Sequence, residues 1–305
     1  MEDNRLTRKS KNLIIGEFVI DFSRYCLGMK MEIPFSGMAF YHPETYLPDF
    51  NFTIDYIEPN DSGKLLFGSD EFAIPTFLYK RENGYFDWIT KQKDGTKGIS
   101  FRISDDWTKF TLYEDNTSSN GERAFHAFGS LFSYAVLNHD ACVLHGVVME
   151  YEGMGILVTA PSGTGKTTHT RMWRDKENAL IINGDRCLCR KIDGKWYAYG
   201  MPWSGSSGEY INRRVPITAI IALKQDSWNH VHSMTELEAT LYLMQRIFAP
   251  VWECDMQNKA FDITEELAKT IPMFELYCKP DFESVDVLKE TILNLNKGYE
   301  TINIK

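Results

Sequence analysis

Gly155-Ile156-Leu157-Val158-Thr159-Ala160-Pro161-Ser162-Gly163-Thr164-Gly165-Lys166-Thr167-Thr168 changes character twice along its length. Gly155 to Thr159 is nearly all apolar, the composition of a strand buried on both faces of a sheet. Pro161 to Gly165 is a small-residue turn, and Thr168 to Trp173 can form a helix. A buried strand, a glycine-rich turn and a helix, in that order, make the setting in which a turn cradles phosphate.

The register of single residues sharpens this reading. Gly163 and Gly165 free the backbone to aim several N–H groups into one concavity, which side chains would obstruct. The helix start adds the positive end of its dipole to the same place. Lys166 can reach outer phosphates as a mobile charge, and the Thr167 hydroxyl stands where magnesium is held. Ser162, Gly163, Thr164, Gly165, Lys166, Thr167 and Thr168 are therefore expected to bind a nucleoside triphosphate, ATP with Mg2+. The pattern G-x-x-x-x-G-K-[ST] opens with glycine, and here that position is Ala160.

Outward from this loop the chain has two grammars. From Ile14 to Tyr113 it reads as short strands with turn punctuation. Thr76–Tyr79 and Tyr85–Ile89 flank Asn83-Gly84, and Ile99–Ile103 and Trp107–Tyr113 flank Asp105-Asp106, which predicts an antiparallel β domain. A polar break follows at Asn116 to Gly121. After it, Phe125, Phe128, Leu131, Phe132, Ala135 and Val136 recur at three-and-four spacing and predict a helix over Glu122–Asn138. Strands are expected at Val143–Met149, Gly155–Thr159, Ala179–Ile182, Thr218–Leu223 and Met273–Cys278. Helices are expected at Glu236–Phe248, Ile263–Ile271 and Val285–Leu295. The expectation is a β-rich N-terminal domain over residues 1–116 and an α/β P-loop domain over residues 117–305.

Composition narrows the function classes. The 305 residues are 43% hydrophobic and 13% aromatic, enough for packed cores. The net charge is -9 with both signs interleaved, so a nucleic-acid partner is not expected. No window approaches a membrane span and no signal-peptide core follows Met1 to Lys11, so the expected location is cytoplasmic. Cys26, Cys142, Cys187, Cys189, Cys254 and Cys278 are scattered, as reduced thiols are. Cys187-x-Cys189 and His230-x-His232 have metal-like spacing but no second pair, and two-residue spacing also fits one packed strand face. Trp173, Trp196, Trp203, Trp228 and Trp252 are candidates for a base-stacking ring, with nothing in the sequence to choose among them.

The run Leu144-His145-Gly146-Val147-Val148-Met149, then Gly155-Ile156-Leu157-Val158, then Ser162-Gly163-Thr164-Gly165-Lys166-Thr167 resembles the start of the catalytic core of HPr kinase/phosphorylase. The Ser-Gly-Thr-Gly-Lys-Thr-Thr form also resembles the ATP-dependent phosphoenolpyruvate carboxykinases, which share that kinase fold. The resemblance spans Val143 to Asp185 well and the remaining C-terminal half loosely. It implies an Mg-dependent ATP phosphotransferase whose catalytic residues are Asp185, His145 and Lys166, with Thr167 and Asp185 on the metal. That family has a pair of aspartates after the loop's helix, whereas Ile182-Asn183-Gly184-Asp185 keeps only the second. Its arginine and glycine signature is also missing from Gly200 to Glu209, a small-residue loop that could receive a phosphate or an acceptor. Arg213 and Arg214 are nearby candidates for steadying transferred charge, at most one of them serving, because strand neighbours point to opposite faces. The implied partner is a hydroxyl acceptor, whether protein serine, peptide or small molecule, and the sequence leaves room for a homo-oligomer. Two rival expectations are a nucleotide-binding module without catalysis and a carboxykinase-type enzyme.

Overall fold

The computed structural model describes residues 12–21, 39–41, 47–55, 63–70, 74–92, 94–113 and 121–302. The chain divides into two compact units, Met1–Ala135 and Val136–Lys305. Cys26 and the polar break at 116–120 lie outside the described residues.

In the first unit the described strands are β1 (Asn12–Ile15), β2 (Phe18–Asp21), β3 (Ala39–Tyr41), β4 (Phe50–Asp55), β5 (Lys64–Ser69), β6 (Thr76–Lys80), β7 (Phe86–Lys91), β8 (Lys97–Ile103) and β9 (Lys109–Tyr113). They form one sheet in the order β3-β1-β2-β4-β9-β8-β7-β6-β5. The hairpin at Asn83-Gly84 forms, with Gly84 at φ 87° and its N–H donating to Arg81 O. Trp107 belongs to the other turn, at φ 60°, and not to the strand that follows. The sheet is mixed where an antiparallel domain was expected: β2/β4 and β4/β9 run parallel. Turn residues reveal pairings between chain neighbours, and these two ladders join strands distant in sequence.

Helix α1 (Gly121–Ala135) falls within the first of the two compact units. Its Phe128 ring lies 4.8 Å from Phe52 and 5.6 Å from Phe110, and Phe132 lies 5.5 Å from Phe50, all near T-shaped. These rings are fully buried. The three-and-four spacing correctly marks an apolar face, but that face covers the first sheet, and buried aromatic area outweighs proximity in sequence.

The second unit is a mixed α/β assembly. After a 3-10 turn at Val136–His139 come β10 (Ala141–His145), β11 (Val147–Tyr151), β12 (Met154–Thr159), helix α2 (Lys166–Glu177), β13 (Leu180–Asn183), β14 (Arg186–Ile192) and β15 (Lys195–Tyr199). Then follow β16 (Arg214–Gln225), β17 (His230–Ser233), α3 (Glu236–Met244), α4 (Cys254–Thr270), β18 (Met273–Cys278) and α5 (Phe282–Ile302). The sheet order is β10-β14-β15-β16-β12-β11-β13, and β18 pairs with both β16 and β17. β12, β16 and β18 run parallel at the centre. Ile156, Val158, Ile221, Leu223, Leu276, Trp173, Val285 and Leu288 fill one core on one side of that sheet.

Three boundaries differ from expectation for visible reasons. Val143–Met149 is two strands, because Gly146 breaks the run: a Cβ there would meet Val158 O at 2.9 Å. The β10 half pairs with β14 and the β11 half with β12 and β13. Helix α3 starts on a full capping box, Thr235 with Glu238, and stops at Met244. The following residues join the end of β10 instead, with His145 N–H donating to Arg246 O and Phe248 N–H to Val143 O. Helix α4 begins at Cys254, well before the expected Ile263, since Met256 and Ala260 continue its buried face.

Candidate functional site

β12 is buried at every position, and the chain leaves it at Ala160, itself buried in the core. Ala160 is not among the residues with positive φ, so the methyl that replaces the usual glycine is accommodated without strain. Gly163 (φ 80°) and Gly165 (φ 106°) do need glycine. No atom lies within 4 Å of where their Cβ atoms would be, so both border open space. Helix α2 starts at Lys166 with no side chain capping it. Its first N–H groups therefore face that space as donors for an anion. Ser162 and Thr168 are exposed and Thr167 is half-buried. Thr164 is tied into the loop: its hydroxyl donates to Pro161 O (2.9 Å), and its carbonyl accepts from Gln225 Nε2 (3.1 Å).

Lys166 folds back on its own loop. Its Nζ donates to Ala160 O (2.8 Å) and Pro161 O (3.2 Å) and lies 3.0 Å from His145 Nε2. An ammonium only donates, so Nε2 accepts and the imidazole proton sits on Nδ1. That nitrogen faces Asp185 Oδ1 at 3.5 Å. Burial, then the Lys166 charge, hold the His145 pKa below its ordinary value against the opposing pull of Asp185. Burial likewise lowers that of Lys166, against the pull of Asp185 and with a smaller push from Arg246. A base, a mobile cation and a carboxylate drawn from three separate elements thus meet beside the loop.

Asp185 is positioned by a residue that sequence reasoning passed over. Buried Asn183, at the end of β13, accepts through Oδ1 from the N–H groups of Asp185 (2.9 Å) and Arg186 (2.8 Å). Its amide donates to Met201 O (2.7 Å). The Asn-Gly-Asp run carried that signal as an Asx turn. The loop from Gly200 to Glu209 closes over this turn, with Met201, Pro202, Trp203 and Ser204 buried. A Cβ on Gly184 would fall 1.9 Å from Ser207 Oγ, and one on Gly205 would fall 2.8 Å from the Asp185 carboxyl carbon. Ser207 therefore occupies the room that a side chain at position 184 would need.

A cleft of about 530 Å³ adjoins the loop, lined by Pro161, Ser162, Gly163, Thr164, Leu223, Lys224, Gln225, Tyr242 and Arg246. Arg246 is the arginine that stands here. Arg213 is held on Glu150 (2.5 and 2.7 Å), and Arg214 lies over Tyr197. The Arg246 guanidinium stacks 4.8 Å from the Tyr242 ring centre, and its Nε is buried without a hydrogen bond among the described residues. No local motif marks Arg246; its place follows from the backbone joining the end of β10.

The other candidates fall elsewhere. Cys187 and Cys189 share one buried face of β14, their sulfurs 3.7 Å apart, with Cys142 opposite Cys189 on β10. Of the tryptophans weighed for base stacking, Trp173, Trp196 and Trp203 are buried, and Trp228 is 58% exposed. Among the described residues no group of three or more His, Cys, Asp and Glu could by itself hold a metal ion, and no helix is long and apolar enough to cross a membrane.

Fold and site together define a mixed α/β protein with an uncapped, glycine-opened helix N-terminus facing a His–Lys–Asp cluster. The family model described as "SynChlorMet cassette protein ScmC" matches residues 127–283, more than half of the chain, and the chain belongs to that family. No curated protein matches it. Among solved structures it is similar to one described as the Hpr(Ser) kinase/phosphatase from Coxiella burnetii, at 11% identity and a TM-score of 0.32, covering 53% of this chain and 96% of that one.

Proposed function

We propose that this chain is a Mg-dependent ATP phosphotransferase that transfers the γ-phosphoryl group to a hydroxyl of a protein, peptide or small molecule. The observation that carries the reading is the convergence of Lys166, His145 and Asp185, linked at 3.0 and 3.5 Å, on the mouth of a P-loop-like strand–turn–helix. The triphosphate takes the open space bordered by Gly163 and Gly165, where the first N–H groups of α2 point. Lys166 exchanges its carbonyl partners for phosphate oxygens, and Arg246, across the cleft, adds a second cation. The acceptor oxygen forms its bond to the γ-phosphorus as the bond to the β–γ bridging oxygen breaks. The acceptor proton passes to the Asp185 carboxylate, and ADP leaves with the charge that Lys166 and Arg246 balance.

The residues fit a magnesium ion of the kind that keeps several waters and rests on few protein ligands. The Thr167 hydroxyl is half-buried beside the open space, and the Asp185 carboxylate is 30% exposed. These two would hold it, and the ion would supply charge neutralisation on the phosphates.

The test is titration calorimetry with magnesium and ATP on the wild type and Lys166→Ala. Loss of the counter-charge at a triphosphate should weaken binding by roughly 100-fold or more. Equal affinity in the two proteins would remove the P-loop assignment. A wild type that binds ATP but transfers no γ-label to any component of a cell extract favours a binding module without catalysis, a reading that the lone carboxylate beside Gly184 also fits.

A further inference from the structure

The cleft beside the glycine-rich loop does not end at Lys224. In register across the sheet, Lys224 on β16 stands opposite Tyr277 on β18, and Tyr277 opposite His230 on β17. Leu223 and Leu276, one residue earlier on each strand, belong to the core on the other side. Side chains alternate along a strand, so Lys224, Tyr277 and His230 form one row on the face away from that core. The rings lie flat on one another. Tyr277 and His230 are 4.7 Å apart at 8° between planes, and His230 and Trp228 are 3.7 Å apart at 16°. Lys224 Nζ sits 4.9 Å from the Tyr277 ring centre and donates to its hydroxyl at 3.0 Å.

From this row, and resting on the nucleotide reading above, we propose that the ledge Tyr277–His230–Trp228 is the base subsite of the nucleotide, with Trp228 as the stacking surface. Three observations converge on it. The ledge is continuous with the cleft through Lys224, which lines the cleft and touches Tyr277. Its exposed end lies in the turn after β16, at the carboxyl end of the parallel strands β12, β16 and β18, the edge at which open α/β sheets receive ligands. Gln225, three residues before Trp228, is bonded to Thr164 of the loop itself. Three residues span at most about 11 Å, so Trp228 is within reach of a nucleotide anchored by its phosphates.

The stack is also built to be held in place without hydrogen bonds from its centre. His230 Nδ1 is buried and finds no hydrogen-bond partner among the described residues, so ring contact is what fixes the imidazole between Tyr277 and Trp228. Trp228, at the end of the stack, keeps 58% of its surface exposed. A planar aromatic ligand continues such a stack with little reorganisation, and any base presents a π face to it, so the subsite favours a nucleotide over a bare polyphosphate without reading base edges.

The experiment compares magnesium–ATP with magnesium–tripolyphosphate, which carries the phosphates and no base. In calorimetry, Trp228→Ala should lose about 10- to 100-fold in ATP affinity, the range of one base–aromatic stack, and keep its tripolyphosphate affinity. In the wild type, ATP should quench the intrinsic fluorescence of the exposed Trp228, and tripolyphosphate should not. Equal ATP affinity in Trp228→Ala and wild type, or ATP binding without quenching, overturns the ledge and leaves the phosphate loop standing. A wild type that binds neither ligand overturns the phosphate-loop reading and the ledge with it.

Discussion

Asp185→Asn separates a phosphotransferase from a protein that merely holds ATP. The substitution keeps the size of the side chain and leaves its support intact, because the turn is fixed by Asn183 Oδ1 accepting from the Asp185 and Arg186 N–H groups and not by the carboxylate. The melting temperature should therefore stay nearly unchanged. What is lost is a negative charge 3.5 Å from His145 Nδ1, in a site where both side chains are about 30% exposed. It is also the group that counters the depression of the His145 and Lys166 pKa values. Removing it moves both values further down and removes the proton acceptor for the incoming hydroxyl. A positioned general base is worth about 10² to 10⁴ in rate; the triphosphate keeps the loop and Lys166 while the magnesium loses one of its two proposed side chains, so affinity for magnesium–ATP should also fall, but by less than turnover. The assay follows transfer of γ-labelled phosphate from ATP to extract components, alongside calorimetric affinity, for both proteins. Turnover unchanged within a factor of about three, against that expected range, would refute the assignment of Asp185 as base.

Two further perturbations probe the scaffold around the site. His169 is buried against α5, accepting at Nε2 from Trp173 Nε1 and facing Ser284 Oγ through Nδ1, and burial lowers its pKa to about 4. Between the unfolded value near 6.5 and about 4 the unfolded chain binds the extra proton, so stability falls as pH drops through that window, by about 2 kcal/mol at pH 5; urea unfolding of His169→Asn should show that much less loss between pH 7 and pH 5, and parallel curves for the two proteins would place the buried titration elsewhere. Gly184→Ala should destabilise the second unit by about 1–3 kcal/mol, the usual penalty for overpacking, because the new methyl meets Ser207 Oγ at 1.9 Å. Gly184→Ala with Ser207→Gly should recover most of that loss in the same unfolding experiment, and an unaffected single mutant would show that the Gly200–Glu209 loop does not press on this turn.

The sequence alone was enough for the features carried by neighbouring residues. The strand–turn–helix around Gly163 and Gly165, the Asn83-Gly84 hairpin and the apolar face of Phe125, Phe128 and Phe132 each depend on backbone freedom or periodicity within one short stretch, and each forms. The positive φ values at Gly163 and Gly165 are local demands that glycine announces by itself. What that face covers was not legible, since helix spacing says that one side is buried and not against which sheet. The same limit hid Arg246 from view and favoured Arg213 and Arg214, because Arg246 reaches the site through backbone bonds to a strand about 100 residues earlier. It hid the choice of Trp228, the most exposed of the five weighed tryptophans, since exposure is settled by what packs over each ring. It also hid the reason for Gly184, which lies in Ser207, a residue brought there by the return of a separate loop. Local conformational preference is written in adjacent residues; which distant groups share a space is decided only when burial of apolar area selects one packing among many.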